Sequence, residues 1–483
     1  MVNSMQLSQI AKSLEAQLIG SDASFDSVSI DTRTLKPNQL YVALSGDQFN
    51  GHDYLANALE AGAVAAIVSE AESKNIPDNF PRLLVTDTRV ALGQIARLNR
   101  EASDTRLVAV TGSSGKTTVK EMLYSILSEM GSSMATKGNF NNDIGVPLSL
   151  LRLGENHQYG VIELGASAGG EIDYLVSLVE PDVAIITNVA RAHLSGFGRL
   201  SDVANAKGEI LGGIRPGGTA VLNADDEFYI KWRLSALSQG SSVSAFSVDP
   251  SKIDTHVDFY CSEVDSTDPG QSSFVLVAPN NEISITLRLP GAHNLANALA
   301  AAAAATAMGA TIDQIKIGLE SVQPVPGRMI PYKGINNSIV IDDSYNANPG
   351  SVQAAIEALA RYPGRRIFVL GDMGELGEQS QSLHREVGQL AAQNRIDAVF
   401  TLGEKSAAAY AEYIGVHLGA GGAFLEREKL LSCLVPKLNS KTVVLVKGSR
   451  SAHMEQVVEV LKSTDGAKSN GSVESTEVGI GVS

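Results

Sequence analysis

A glycine-rich segment between an apolar run and a helical pattern is the part of the chain best suited to chemistry. Arg106–Thr111 has the composition of a buried strand, and Thr118–Met130 has the apolar spacing of a helix. The loop between them contains Gly112, Ser113, Ser114, Gly115, Lys116, Thr117 and Thr118. A loop at a helix N-terminus directs backbone N–H groups and the positive end of the helix dipole at one point. The segment therefore predicts a phosphate-binding site.

Two side chains of this loop have the chemistry of a nucleotide site. Lys116 can reach the β- and γ-phosphates of a nucleotide, and the hydroxyl of Thr117 can bind Mg²⁺. The full phosphate-loop pattern begins with a glycine, where this chain has Val110. The remaining Gly-x-x-Gly-Lys-Thr pattern also occurs in ordinary turns that end in a capping threonine. Its position between a strand and a helix favours a nucleotide site.

Polar residues follow the next two strand-like runs. Glu163 lies near the end of Gly160–Leu164, and both Asn188 and His193 follow Asp182–Thr187. Because ligands of parallel sheets lie outside the carboxyl ends of the strands, we expect these residues near the loop. A carboxylate there suits Mg²⁺, which prefers oxygen ligands. The alternative for Glu163 is a strand-end carboxylate that binds only backbone.

Strand-like and helical patterns alternate along the chain, which predicts an α/β protein of three domains with helix-covered parallel sheets. The predicted domains are a small N-terminal α/β domain (residues 1–104), a central P-loop parallel-sheet ATPase domain (105–325) and a C-terminal Rossmann-like doubly wound domain (326–462). Residues 255–289 alternate in a more antiparallel manner, and Pro324–Gly327 reads as a linker. Residues 463–483 are rich in Ser, Gly, Thr and Glu, and we expect a disordered tail.

Bulk composition excludes several classes of protein. The 44% hydrophobic and 19% charged content is that of a globular chain, and the net charge of −15 argues against nucleic-acid binding. Cys261 and Cys433 cannot form a disulfide framework. Met1–Glu15 does not resemble a signal peptide, and the longest apolar stretch, Leu295–Met308, is too short to span a bilayer. We expect a cytoplasmic, monomeric enzyme.

The order of these segments is similar to that of the Mur ligases, which build the peptide of bacterial cell-wall precursors. The similar segments are 111–118 (Thr-Gly-x-x-Gly-Lys-Thr-Thr), 163–165 (Glu-Leu-Gly), 187–193 (Thr-Asn-x-x-x-x-His), 206–209 (Ala-Lys-Gly-Glu), 291–297 (Gly-Ala-His-Asn-x-x-Asn) and 326–328 (Pro-Gly-Arg). The resemblance covers nearly all of residues 25–462 and implies an ATP-dependent ligase that joins an amine to a carboxylate.

Three further segments most resemble the branch of this family that adds D-alanyl-D-alanine to UDP-MurNAc-tripeptide. They are 136–147, 342–349 and 370–376. The diaminopimelate- or lysine-adding branch usually carries Asp-Asn-Pro-Arg in its last domain, which is absent from this sequence. Folylpolyglutamate synthases have the same fold and loop but not the Lys-Gly-Asn-Phe-Asn-Asn segment. The resemblance leaves open whether the third stem-peptide residue is diaminopimelate or lysine.

The resemblance also implies roles for individual residues. Lys116, His193 and Lys207 would be catalytic, and Lys207, by residue type alone an ordinary surface lysine, would be carbamylated. The ligands of two Mg²⁺ ions would include Thr117, Glu163, His193 and carbamylated Lys207. The remaining ATP contacts would be Asn294 and Asn297 on the adenine side, Arg328 at a phosphate, and Asp343 on the ribose or hinge side. The UDP end of the substrate would contact Thr32, Arg33, Asn50, Gly51 and His52. Further substrate contacts would come from Asn139, Asn141 and Asn142. The dipeptide pocket would be lined by Tyr345, Asn346 and Asn348.

Other functions share part of this pattern. The nearest is another ligase of the same fold, of Mur or folylpolyglutamate type, that adds a single amino acid. A small-molecule kinase or regulatory nucleotide-binding protein would share the loop but form no amide and need no 139–147 segment. A non-catalytic nucleotide-binding module is disfavoured, because Glu163, His193 and Lys207 are predicted at one edge of the sheet.

Overall fold

The structure is a computed structural model of the 483-residue chain. It describes residues 1–46, 49–72, 80–190, 197, 199–252, 257–265, 267–268, 270–289, 291–416 and 419–462. Two compact units divide between Gln323 and Pro324. The first unit contains two large sheets and the second contains one. No helix within the described ranges has both the length and the apolar content that a membrane span requires.

The N-terminal part of the first unit contains a five-stranded sheet of order β2-β9-β8-β5-β4 and two short antiparallel strand pairs, β1 with β3 and β6 with β7. Its strands are β1 (Met5–Gln6), β2 (Gln17–Ile19), β3 (Ser24–Phe25), β4 (Ser27–Ser29), β5 (Gln39–Val42), β6 (Ser45–Gly46), β7 (Phe49–Asn50), β8 (Ala65–Ser69) and β9 (Arg82–Val85), and its helices are α1 (Leu7–Ser13), α2 (Leu55–Glu60) and α3 (Thr88–Glu101). Strands β4, β5, β8 and β9 are parallel, and β2 is antiparallel to β9. Tyr41 and Phe80 are buried in its core.

Helix α3 connects this sheet to the next one and is anchored at its end. The side chain of Arg100 is buried, and its guanidinium donates to the carbonyls of Thr105 and Val179, both at 2.8 Å. The amide of Asn99 donates to the carbonyl of Leu150 at 2.9 Å. These contacts satisfy buried polar groups on both sides. The first two sheets therefore share one compact unit.

The central part of the first unit is a nine-stranded sheet of order β11-β12-β10-β13-β14-β15-β16-β17-β18. Its strands are β10 (Arg106–Thr111), β11 (Ser133–Ala135), β12 (Tyr159–Glu163), β13 (Val183–Ile186), β14 (Thr219–Asn223), β15 (Ser242–Ser247), β16 (Phe259–Asp265), β17 (Ser272–Ala278) and β18 (Asn281–Leu287). Its helices are α4 (Lys116–Met130), α5 (Gly145–Leu150), α6 (Glu171–Val179), α7 (Leu200–Gly208), α8 (Tyr229–Ser238), α9 (Ala292–Ala307) and α10 (Ile312–Ser321). The alanines of α9 and the apolar face of α4 form the main core with the sheet.

The second unit contains a six-stranded sheet of order β19-β20-β24-β21-β22-β23. Its strands are β19 (Ile330–Lys333), β20 (Ile339–Asp343), β21 (Arg365–Gly371), β22 (Ala398–Leu402), β23 (Ala420–Phe424) and β24 (Thr442–Lys447), and its helices are α11 (Pro349–Ala360), α12 (Ser380–Gln393), α13 (Ala407–Val416), α14 (Arg427–Leu434) and α15 (Glu455–Leu461). Strands β20 to β24 are parallel, and β19 is antiparallel to β20.

The predicted three-domain α/β fold class is confirmed, with differences in detail. The central sheet is mixed, because β17 and β18 add an antiparallel edge that the 255–289 pattern indicated. Besides the short N-terminal strands β1, β2, β3, β6 and β7, strands β11, β15, β19 and β23 were not predicted. β11 has only three residues, β15 contains three serines, β19 contains a proline and β23 two glycines, so composition alone does not indicate a strand.

Candidate active site

Two glycines shape the phosphate loop and bring its backbone close to neighbouring side chains. Gly112 has φ +148° and Gly115 has φ +84°, and Gly115 immediately precedes α4. A Cβ atom at Gly112 would collide with the hydroxyl of Thr187, and one at Gly115 with the amide oxygen of Asn297. Only glycine permits this close approach. Thr118, the last residue of the predicted loop, lies in the first turn of α4. The resulting cradle at a helix N-terminus fits a phosphate group.

Val110, which replaces the first glycine of the full pattern, belongs to the strand rather than to the loop. It is fully buried in β10, where it lies opposite Glu163 of β12 and Ile185 of β13. The turn therefore begins at Gly112, after Thr111 has ended the strand. The departure from the pattern leaves the glycine-dependent part of the loop intact.

The end of β12 places an acidic side chain against the loop. The Thr117 hydroxyl donates to Glu163 Oε2 at 2.9 Å, and the Asn141 amide donates to Glu163 Oε1 at 2.8 Å. Both Thr117 and Glu163 are buried. Lys116 Nζ donates to the carbonyl of Gly112 at 2.7 Å, at the mouth of the loop. A hydroxyl and a carboxylate beside a phosphate cradle are oxygen ligands of the kind that Mg²⁺ binds.

Asn188, which follows β13, forms hydrogen bonds with the loop, although we assigned it no role from the sequence. Its side chain accepts a hydrogen bond from the Ser114 N–H and donates one to the Ser114 carbonyl, both at 3.1 Å. Its carbonyl accepts from the Ser113 N–H at 2.9 Å. Thr187 adds a bond from its hydroxyl to the Ser114 carbonyl at 2.6 Å. The only sequence signal for this function was its position after a central parallel strand.

We expect Asn188→Ala to weaken nucleotide binding. The substitution removes the two side-chain hydrogen bonds to Ser114, each worth about 1 kcal/mol, so a non-hydrolysable ATP analogue should bind about 30-fold more weakly. Calorimetric titration measures this change. Asn57→Ala on the exposed side of α2 is the matched control and should leave the affinity unchanged. An unchanged affinity of Asn188→Ala would contradict the assigned contact.

Lys207 is buried, so its interpretation as an ordinary surface lysine is wrong. Its side chain is 1% exposed, its Nζ donates to the Ala166 carbonyl at 3.4 Å, and it lies 5.6 Å from the centre of the Phe197 ring. Burial, and secondly the positive charge of Lys116, lower the pKa of Lys207 to about 7. At neutral pH much of Lys207 is therefore an uncharged, nucleophilic amine.

Asn294 and Asn297 lie in the first two turns of α9, beside the loop. Both are buried, and the Asn297 amide donates to the Asn294 side-chain oxygen at 3.2 Å. The approach of Asn297 to Gly115 brings this pair to the start of α4. Two carboxamides at this position can bind a heterocyclic base through donors and acceptors.

The three asparagines of the 136–147 segment have different environments. Asn141 holds Glu163 as described, and its carbonyl also accepts from the Gly165 N–H at 2.8 Å. Asn142 accepts from the N–H of Gly145, the first residue of α5, at 2.9 Å. Asn139 is exposed. The segment therefore lies beside Glu163, with Asn141 as its contact.

The N-terminal residues divide into an exposed pair and a structural turn. The Arg33 guanidinium pairs with Asp31 at 2.6 Å, which lowers the pKa of Asp31 to about 2, and Thr32 is half-buried beside them. Asn50 accepts from the backbone N–H of His52 at 3.1 Å, and His52 Nε2 accepts from the Ser69 N–H at 3.0 Å. Gly51 is needed because a Cβ atom there would collide with backbone. Arg33 is the most exposed of these residues.

In the second unit, the buried Asp343 is held by internal contacts. Lys447, which we did not predict, pairs with Asp343 at 2.5 Å and donates to the Asn346 carbonyl at 2.9 Å. Burial raises the pKa of Asp343, and the charge of Lys447 opposes that shift.

Arg328 and the start of α11 complete the predicted residues of this unit. The Arg328 guanidinium lies 4.3 Å from the centre of the Tyr345 ring, a cation–π geometry. Asn348 caps α11 by accepting from the Ser351 N–H at 2.9 Å. The loop after β20 therefore carries the polar groups that we predicted there.

Some predictions fall on residues outside the described ranges. These are His193 and the tail 463–483. Within the described ranges, no three His, Cys, Asp or Glu side chains form a metal-binding group. The predicted metal ligands that the structure does bring together are Thr117 and Glu163.

Comparison with known proteins gives matches along nearly the whole chain. Models of the Mur ligase family match residues 24–100 (catalytic domain), 110–305 (middle domain) and 327–450 (glutamate ligase domain). The UDP-N-acetylmuramoyl-tripeptide–D-alanyl-D-alanine ligase of Escherichia coli K12 is 44% identical over 95% of this chain and 98% of its own.

Solved structures give the same result. MurF from Acinetobacter baumannii has a TM-score of 0.87 at 34% identity and covers 95% of this chain and 99% of its own. MurF from Thermotoga maritima, in complex with ADP, has a TM-score of 0.77 at 29% identity and covers 90% of this chain and 96% of its own. The likeness extends over all three sheets.

Proposed function

The chain belongs to the Mur ligase family, and we propose that it adds D-alanyl-D-alanine to UDP-MurNAc-tripeptide, with ATP as the energy source. The observation that carries this proposal is the likeness along almost the full length of the E. coli ligase. The phosphate cradle with Thr117 and Glu163 supports it, because a ligase of this kind needs a site for ATP and Mg²⁺. We place the reaction in the cytoplasmic stage of peptidoglycan precursor synthesis and expect a monomer.

The chemistry proceeds in two steps. A carboxylate is a poor acyl donor, because its leaving group would be oxide. Its oxygen therefore attacks the γ-phosphorus of ATP, which forms an acyl phosphate and releases ADP. The free amine of D-alanyl-D-alanine then attacks the carbonyl carbon, a tetrahedral intermediate forms, and phosphate leaves as the amide is made. The amine loses one proton in this step.

The residues around the loop supply positioning and charge neutralisation. Lys116 binds the transferred phosphate with its ammonium, and the N–H groups at the start of α4 bind neighbouring phosphate oxygens. Thr117 and Glu163 would hold Mg²⁺, which neutralises phosphate charge when bound. Asn188 keeps the Ser114 peptide in its orientation during the reaction.

We infer that Lys207 is carbamylated and takes part in a second metal site with His193. Its low pKa supports this, because only an uncharged amine attacks CO₂. Attack forms an N–C bond and releases a proton, which converts the amine into a carbamate anion. Because Lys207 is buried away from water, it does not serve as an ordinary solvated surface lysine.

The remaining contacts are proposed by the same family correspondence. Asn294 and Asn297 would contact the adenine side of ATP, with Arg328 at a phosphate and Asp343 on the ribose side. Thr32, Arg33 and the 50–52 turn would hold the UDP end, and Tyr345, Asn346 and Asn348 the dipeptide. We retain 1–104, 105–325 and 326–462 as the proposed domain boundaries.

An acceptor panel tests the proposed function. Purified protein with UDP-MurNAc-tripeptide, ATP and Mg²⁺ is offered D-alanyl-D-alanine, single amino acids or glutamate, and ADP release is measured. We expect D-alanyl-D-alanine to stimulate release at least about 100-fold more than any single amino acid, since a site built for a dipeptide leaves polar groups unpaired with a smaller ligand. Stimulation by a single amino acid alone would indicate another ligase of this fold.

A further inference from the structure

Lys120 is a buried lysine on the helix that follows the phosphate loop. Its side chain is 1% exposed, although it lies one turn from Thr117 on α4. Its Nζ donates to the carbonyl of Thr136 at 2.9 Å and pairs with the partly exposed Glu121 at 2.9 Å. Neither the phosphate-loop pattern nor the family resemblance assigns this lysine a role.

The residue that Lys120 holds is also the residue that holds the backbone of Glu163. The Thr136 hydroxyl accepts a hydrogen bond from the Glu163 N–H at 3.0 Å, and the Thr136 N–H donates to the Val161 carbonyl at 3.0 Å. Thr136 is itself 2% exposed. A continuous chain of contacts therefore runs from the Lys120 ammonium through Thr136 to the peptide of Glu163.

Glu163 is consequently fixed from two points on the same helix. Thr117 contacts its carboxylate directly at 2.9 Å, and Lys120 contacts its peptide through Thr136. The same helix thus contacts both the strand end and one oxygen of the carboxylate, whose other oxygen accepts from the Asn141 amide. Residues that orient a metal ligand in this way commonly change metal affinity when they are removed.

An ammonium is an unusual choice for this buried position. An apolar side chain of similar length would fill the same space without the cost of burying a charge. A charged donor makes a stronger bond to the Thr136 carbonyl than a neutral one, and no apolar residue could make it. The charge of Lys120 is therefore explained by its bond to Thr136 and its ion pair with Glu121 rather than by packing.

We propose that Lys120 is a positioning residue that holds Glu163 beside the phosphate loop and thereby sets the affinity of the site for Mg²⁺. The proposal rests on the metal-binding role of Glu163 in the proposed function. It goes beyond that function, because it assigns Mg²⁺ affinity to a residue that contacts neither metal nor substrate.

The test compares Lys120→Met with Thr136→Val, which keeps the shape of Thr136 but removes the hydroxyl that accepts from Glu163. The probe is Mg²⁺ titrated calorimetrically into protein saturated with a non-hydrolysable ATP analogue. We expect each variant to bind Mg²⁺ about ten-fold more weakly, and the double variant no more weakly than the worse single variant. Lys120→Arg, which keeps a charged donor, should restore part of the loss.

Glu121→Gln is the matched control, because it removes the ion pair of Lys120 without touching Thr136. It should bind Mg²⁺ as the unmodified protein does. Melting temperatures are measured in parallel, and Lys120→Arg and Thr136→Val serve if Lys120→Met does not fold. Loss of melting temperature with unchanged Mg²⁺ affinity in the folded variants would overturn the proposal.

The binding assay also separates this proposal from the proposed function. If the unmodified protein binds Mg²⁺ with the ATP analogue but forms no amide, the proposed function fails while the role of Lys120 is still measured. If the unmodified protein ligates D-alanyl-D-alanine and the variants keep full Mg²⁺ affinity, only the role of Lys120 fails.

Discussion

Lys116→Ala will lower the rate of ligation by at least about a thousand-fold, because the proposed role of its ammonium is to neutralise charge on the phosphate that is transferred. In the structure its Nζ lies 2.7 Å from the Gly112 carbonyl, at the mouth of the cradle that Gly112 and Gly115 form. Alanine leaves that cradle without the cation that the loop positions there. ADP release and the amide product, separated by chromatography, are measured together.

Lys12→Ala, on the exposed side of α1, is the control for the loss of one lysine. It should ligate at the rate of the unmodified protein. Circular dichroism establishes that Lys116→Ala is folded. Ligation by folded Lys116→Ala at the original rate would show that the loop does not act on the transferred phosphate.

Lys207→Met will lower ligation by about a hundred-fold or more and remove the proposed carbamate, because methionine fills the buried space but cannot react with CO₂. Carbon-13 NMR of protein in labelled bicarbonate measures the carbamate directly. Lys12→Met should keep both the signal and the activity. A carbamate signal that persists in Lys207→Met would place the modification elsewhere.

The carbamate should also depend on pH with a definite sign. The pKa of Lys207 is lowered to about 7 by burial, so the amine is mostly protonated below that pH and mostly free above it. The free-amine fraction falls about ten-fold between pH 8 and pH 6, and the carbamate signal should fall with it. A signal that rises towards low pH would contradict the assignment of Lys207.

Strand ends were the most predictable part of the site. Glu163 could be placed beside the loop from the sequence, because the carboxyl ends of neighbouring parallel strands share one edge. The need for glycine in the loop could be predicted equally well, since Gly112 and Gly115 adopt backbone conformations that favour glycine. Both predictions depend on local pattern and on one general rule of sheet topology.

The burial of individual side chains and their hydrogen-bond partners could not be predicted from the sequence, because both depend on the packing of distant segments. Lys120 and Lys207 have the side chain of a surface residue, and only the fold shows that both are buried. Asn188 binds a loop about 74 residues away in sequence. Lys447 reaches Asp343 across two neighbouring strands that are 104 residues apart. No local pattern encodes these contacts.

Strand prediction failed where the composition was atypical. β23 contains two glycines, yet it pairs along its whole length with β22. The neighbouring strand β22 provides the backbone pairing that the side chains of β23 do not favour. Tertiary context therefore decided its conformation.

Oxygen-18 transfer tests the central claim most directly. UDP-MurNAc-tripeptide labelled in both oxygens of its terminal carboxylate is incubated with the protein, ATP, Mg²⁺ and D-alanyl-D-alanine, and the products are analysed by mass spectrometry. The account predicts a pentapeptide product that keeps one labelled oxygen at the new amide and a phosphate that carries the other. Unlabelled phosphate, or labelled phosphate without the pentapeptide, would contradict it.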